Sequence, residues 1–133
     1  MDIDKTVKAF LLREHIPYAE NRENNKKIIT CEIEGAPYRI IIDEDSSLLS
    51  IVAFVATDEI AIAYQIFPKI NTLNQTMFGN FSWHIVDNYI YVFSCRCDQL
   101  CIGGITANEQ LVEDLMVEVH KGIVVIKRAI NKF

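Results

Sequence analysis

From Ile29 onward apolar side chains recur at every second position, after an N-terminal stretch where they recur every three to four. That change of period constrains the fold most. Ile29, Cys31 and Ile33 alternate with Thr30, Glu32 and Glu34, the pattern of a strand buried on one face. Gly35-Ala36-Pro37 is expected to turn the chain into a second strand, with Tyr38, Ile40 and Ile42 opposed by Arg39 and Asp43. A turn over Asp43 to Ser47 leads into Leu48 to Ala56, apolar on both faces and expected as the central strand. Before this run, Asp4 can cap a helix running through Val7, Phe10, Leu11 and Leu12 and ending near Ile16, ahead of Pro17. The polar segment Glu20 to Asn25 reads as a loop.

The helical period then returns. Thr57 or Asp58 is expected to cap a second helix with Ile60, Ala63, Tyr64 and Phe67 inward. Pro68 lies within that phase and should kink the helix. The competing parse continues a strand through Ile60 to Tyr64 and starts a short helix at Pro68; the unbroken apolar phase favours the kinked helix. Ile70, Leu73 and Met77 extend the inner face, with Asn71 and Asn74 on the wetter flank. Gly79 is expected to end the helix in the left-handed conformation, with Phe78 and Phe81 anchoring the exit. Phe81, Trp83 and Ile85 alternate with Ser82 and His84, and Asp87-Asn88 forms a hairpin turn. Tyr89, Tyr91, Phe93, Cys95 and Cys97 line one face of the return strand. Gly103-Gly104 breaks the chain, and Thr106-Ala107-Asn108-Glu109 reads as a capping box. It opens a long helix with Leu111, Leu115, Val119, Gly122, Ile126 and Ile130 near one face.

This order predicts one α+β domain over residues 1–133, α-β-β-β-α-β-β-α. The expectation is a twisted, five-stranded antiparallel sheet with helices mainly on one face. With 133 residues, half of them hydrophobic, the chain can bury a core of its own. The net charge of -5 argues against nucleic acid and anionic membranes as partners, since the basic runs Lys26-Lys27 and Lys127-Arg128 are too short for a phosphate footprint. No apolar run reaches membrane-spanning length. The acidic start Met1-Asp2-Ile3-Asp4 lacks a signal-peptide pattern, so a cytoplasmic protein with reduced thiols is expected.

Ile70-Asn71-Thr72-Leu73-Asn74 leading into Phe78-Gly79-Asn80-Phe81 resembles the YbjN-domain family of small bacterial proteins, often labelled sensory-transduction regulators. In that family an Ile-Asn-x-x-Asn helix end runs into Phe-Gly-x-Phe and a hairpin. Asp43-Glu44-Asp45 before Leu48-Leu49-Ser50-Ile51 is similar to the family's acidic turn. The resemblance covers nearly the whole chain after the first loop. It implies a fold like that of type III secretion chaperones, a binding role and no catalytic residue. Two features depart from it: Thr57-Asp58-Glu59 stands where a Pro-Glu-Glu start is usual, and Cys95-Arg96-Cys97 is not a family hallmark.

Candidate chemistry is sparse. Cys95, Cys97 and Cys101, with Cys31 as a fourth thiol, could converge on a metal or sense oxidants. The spacing lacks paired Cys-x-x-Cys turns, however, and Cys95 and Cys97 continue the apolar series of Tyr91 and Phe93. His15, His84 and His120 are scattered, without a carboxylate or nucleophile at a spacing that requires pairing. Asp43-Glu44-Asp45 lacks the glycine and distal Glu of a calcium loop, and Gly103-Gly104 has no following Lys-Ser/Thr. Packing accounts for these groups, with no catalytic, cofactor or metal residue among them. Ile123-Val124-Val125-Ile126 is apolar around the whole helix, and Ile123, Val124 and Val125 are the candidate partner or dimer contacts. The expected function is a non-catalytic protein-binding module, a chaperone-like or regulatory adaptor and homodimer. The alternative is a thiol-based redox or metal-binding regulator using Cys95, Cys97 and Cys101.

Overall fold

The structure, a computed structural model, describes residues 3–102 and 107–131. Its elements run α1 (Ile3–Arg13), β1 (Tyr18–Glu23), β2 (Lys26–Ile33), β3 (Ala36–Asp43), β4 (Leu48–Thr57), α2 (Ile60–Thr76), β5 (Asn80–Val86), β6 (Ile90–Leu100) and α3 (Glu109–Asn131). The strands form an antiparallel sheet in the order β1-β2-β3-β4-β6-β5. The fold is therefore α+β as the sequence predicts, with a sixth strand. Glu20 to Asn25 is not a loop: Tyr18–Glu23 is β1, paired along its length with β2. Only Asn24 and Asn25 turn, with φ of 52° and 65°, and asparagine tolerates that left-handed region. Glu34-Gly35 and Asp87-Asn88 use the same device, with φ of 51° and 82°, then 54° and 67°.

β4 pairs with β3 on one side and β6 on the other, which places it in mid-sheet; its helix-side residues Leu49, Ile51 and Ala53 are sealed, while Phe54 and Ala56 on the opposite face are more open. The register puts Tyr38, Ala53, Cys95 and Phe81 side by side, and next to them Val55, Phe93 and Trp83. All three helices touch this one face. Lys27 of β2 meets Asp4 of α1, Phe67 of α2 stacks on Trp83 and Phe93, and Tyr38 reaches His120 of α3. Ile29, Ile40, Ile51, Phe93, Val119 and Ile126 are sealed inside, each stabilising by roughly 1.5–3 kcal/mol.

Helix ends differ from expectation in physical detail. Asp4 lies inside the first turn of α1 and pairs with Lys8 and Lys27 rather than capping. At the other end, His15 takes φ 56° and the Ile16 N–H reaches the Leu11 carbonyl, a Schellman ending just before Pro17. Leu12 points to solvent, 75% exposed. α2 runs through Pro68 as one helix from Ile60 to Thr76, so the single-helix parse holds and the strand parse does not. Its N-cap is Glu59, which makes no side-chain cap; Thr57 accepts the Glu59 N–H instead. Tyr64 lies outward. The first residue of the expected capping box, Thr106, and Gly103-Gly104 lie outside the described residues. α3 is capped by Asn108, whose side chain accepts the Leu111 N–H at 2.9 Å.

Gly79 corrects the sequence reading most sharply. The residue after α2 is Met77, in extended backbone, and Gly79 is not among the positive-φ residues. A Cβ at Gly79 would lie 2.5 Å from the Cys95 sulfur, and one at Gly122 would lie 2.5 Å from the same sulfur and 2.7 Å from the Phe81 ring. Both glycines therefore permit close approach, leaving Cys95 and Phe81 wedged where α3 crosses the sheet. Phe81 is buried, while Phe78 is 70% exposed and anchors nothing.

Candidate functional site: two apolar surfaces and a buried thiol row

The thiols offer poor chemistry. All four cysteines are free, and Cys95, Cys97 and Cys101 are buried. Burial pushes the Cys95 thiol up to about 12, with nearby Cys97 and Glu118 adding to the effect. Burial likewise raises Cys31 and Cys97 to about 11, and lifts Cys101. Such groups stay protonated and are weak nucleophiles and ligands at neutral pH. Among the described residues no three His, Cys, Asp or Glu side chains converge as a metal site.

One surface is a groove of about 320 Å³ between α1, the β2–β3 turn and α3. Phe10, Ile16, Ile33, Met116 and Val117 line it with carbon, while Glu14, Glu34, Glu113, His120 and Lys121 supply its polar groups. Arg13 ties lining residues together, bonded to Glu113 at 3.3 Å and Glu14 at 3.2 Å, with its guanidinium 5.3 Å from the Phe10 ring centre. His120 does have a carboxylate partner, one brought from 86 positions away by the β2–β3 turn. Its Nε2 lies 3.3 Å from Glu34, and its Nδ1 lies 3.1 Å from the Tyr38 hydroxyl. In the neutral ring the proton therefore sits on Nε2, facing the carboxylate, and Tyr38 donates to Nδ1. Burial, reinforced by Cys31, Cys95 and Glu34, raises the Tyr38 pKa, so the phenol stays neutral and acts as a prop rather than a base. Lys127 donates to the Glu34 carbonyl and holds the turn in place.

The other surface is the β5 edge with the start of α2. Phe67 stacks on Trp83 with centroids 4.3 Å apart and meets Tyr64, Tyr91 and Phe93 at 5.6–5.9 Å. Tyr64 and Trp83 are 63% and 43% exposed, and Ile85 and Tyr89 continue the apolar surface. Asn74 is not a wet-flank bystander. Its Oδ1 accepts the Phe81 N–H at 2.6 Å and its Nδ2 donates to the Phe81 carbonyl at 3.0 Å, standing in for a neighbouring strand.

Of the three α3 residues singled out from sequence, Ile123 is spent in the core at 1% exposure, Val124 is half-buried and Val125 is exposed. Val125 lines a second groove, between α2 and α3, together with Leu73, Lys69 and Arg128. Sequence reasoning missed Asn74, Val117 and the Tyr38–His120–Glu34 chain. Val117 sits outside the apolar stripe of α3, which was the available signal.

No family model matches the chain, and no curated protein matches its sequence. Solved structures do match in shape. An uncharacterized protein from Methanothermobacter thermautotrophicus superposes with a TM-score of 0.77 over 98% of both chains at 10% identity. YbjN from E. coli, described as a proposed transcription regulator, superposes with a TM-score of 0.64 over 92% of this chain and 86% of its own at 7% identity. The fold is YbjN-like, an open antiparallel sheet with its helices on one face. No helix among the described residues is long and apolar enough to cross a membrane.

Proposed function

We propose that this chain is a non-catalytic protein-binding module, a chaperone-like or regulatory adaptor of the cytoplasm that works as a homodimer. The groove between α1 and α3 carries the reading: an apolar floor large enough for side chains of a partner segment, bordered by Glu14, Glu34 and Glu113. A segment pairing an apolar side chain with a lysine or arginine fits that chemistry, and the net charge of -5 draws basic partners from a distance. The YbjN-like fold supports a regulatory role, because the E. coli neighbour is described as a proposed transcription regulator. Free, buried cysteines fit a reducing compartment and weigh against the thiol-sensor alternative.

The test is capture from native lysate with full-length protein and its Val117→Lys variant, matched in melting temperature. Val117 is exposed and lines the groove, so the variant should retain the captured partner at least tenfold less well. Capture by the wild type should also fall as salt rises. Equal retention by both proteins overturns the groove assignment. Stoichiometric zinc in protein purified without a metal-affinity tag, or thiols that titrate rapidly in the native state, would instead favour the redox or metal reading.

A further inference from the structure

The hydrogen-bonding pattern of β5 specifies its own complement. Along a strand, the N–H and C=O of successive residues point alternately to the two sides. Phe81 turns both groups away from β6, into the side chain of Asn74. By the two-residue period, Trp83 and Ile85 also turn theirs outward, and among the described residues neither finds a backbone partner there. The open edge is thus two rungs long. The Asn74 clamp closes it at one end and the Asp87-Asn88 turn at the other. β5 carries no Asp, Glu, Lys or Arg that would repel another strand.

We propose that a second copy of this chain pairs with β5 antiparallel, with the two-fold axis at His84. The proposal rests on the homodimer reading above and names its interface. In this register Trp83 lies opposite Ile85 of the second copy and Ile85 opposite its Trp83, so open groups meet open groups on both sides and none is left over. His84 lies opposite its own counterpart in the non-hydrogen-bonded position. Phe81 would fall opposite residue 87 of the second copy, where the chain is already turning away, so the Asn74 clamp does not obstruct. The four backbone bonds set register but contribute little net affinity, because they replace bonds to water. Affinity comes from apolar area: the Trp83–Ile85 pairs and the exposed Tyr64 beside them. Two six-stranded sheets become one of twelve, and the uncharged edge disappears.

Single cysteines test the register in the full-length protein. Opposed residues at a non-hydrogen-bonded position have Cα atoms about 4.5 Å apart, within reach of a disulfide. His84→Cys should therefore give a disulfide-linked dimer on mild oxidation. Ser82→Cys or Val86→Cys alone should give less than a tenth as much, since each lies about 13 Å from its own counterpart. Wild type, with its four native thiols, is the background. Ile85→Lys, at an exposed position outside the Phe67 stack, should shift sedimentation equilibrium to monomer while the monomer keeps its fold. A wild type that stays monomeric at 100 µM overturns both this interface and the homodimer reading. A dimer in which His84→Cys fails to cross-link, while Val125→Cys does, overturns the β5 register and moves the interface to α3. Groove binding has its own readout in Val117→Lys and can survive either result.

Discussion

β1 and β5 bound the same sheet at opposite ends, and opposite chemistries hold them. β1 is exposed along its whole length, and ions hold it in place. Glu20 pairs with Lys8 at 2.8 Å on the helix side, Asp4 draws in Lys27 at 2.7 Å beneath it, and Glu23 pairs with Arg39 at 3.0 Å on the other face. Charges on an edge strand repel stray strands, so β1 protects itself. β5 has no such charge. Packing of Phe81 and Phe67 holds it, and a single side chain, Asn74, closes one of its outward rungs. An edge sealed by charge tolerates exposure, whereas an edge sealed by packing keeps its apolar face and open rungs for something to cover.

The sharpest way to break this contrast is at Phe81. Removing that ring empties the space between Cys95, Gly122 and the sheet, and Phe81→Ala should cost about 3–5 kcal/mol in urea unfolding. A cost below about 1 kcal/mol would mean that packing does not hold the β5 end.

Gly79 follows. Close approach, not backbone conformation, demands glycine there, so Gly79→Ala should cost about 1–3 kcal/mol by driving its Cβ into the Cys95 sulfur. Gly79→Asn should be worse, the reverse of what a left-handed glycine would give. Cys95→Ala alone should cost about 1 kcal/mol, yet it removes the obstructing atom. The double variant should therefore lie closer to wild type than the sum of the single costs. Simple additivity would remove the contact from the explanation.

Asn74→Ala takes two hydrogen bonds from Phe81 and should cost about 1–2 kcal/mol. It also opens a third outward rung. Hydrogen exchange should quicken at the Phe81 amide while the β1–β2 amides stay as protected as before.

These residues also mark where sequence stopped being informative. Leu48 to Ala56 could be placed in mid-sheet because a long apolar run without edge charges is suited to a strand flanked by neighbours on both sides. β1 could not, because none of its residues is buried and its charges carry no period. Gly79 stood out as special, but the atom that requires it belongs to Cys95, on the return strand of the next hairpin. Phe78 and Phe81 look alike in a linear pattern, but Phe81 falls in β5 opposite Cys95 and is buried, while Phe78 lies in the bend before that strand and is exposed. The groove was less legible still. Its polar chain joins Glu34 to His120 across most of the sequence, and no spacing rule reaches that far.

Acid should separate the two ends. Burial tends to raise the Asp4 pKa, but hydrogen bonds from Lys27 and Lys8 outweigh it and hold the carboxyl below its ordinary 3.8. A depressed pKa contributes stability that is present above the unfolded value and lost as pH falls through the folded one. Below about pH 4 the α1–β2 link should therefore weaken first. Exchange at β1 and β2 amides should rise while β5 and β6, held by aromatic packing, lag behind. Equal loosening at both ends would show that the Asp4 cluster does not hold its end.

The smallest expected change in stability belongs to the charges on β1 itself. Replacing Glu20, Arg22 and Glu23 together with Thr removes exposed ion pairs, each contributing at most about 1 kcal/mol, and installs residues that favour strands. Folding stability should move by no more than about 1–2 kcal/mol, while the edge loses what repels another strand. Light scattering at high protein concentration should then rise with time, and adding Ile85→Lys at the far edge should not suppress it. If the triple variant stays as soluble as wild type, edge charge is not what keeps β1 apart. The contrast with β5 would then reduce to apolar area alone, and the exposed aromatic face beside Trp83 would be the whole of the difference.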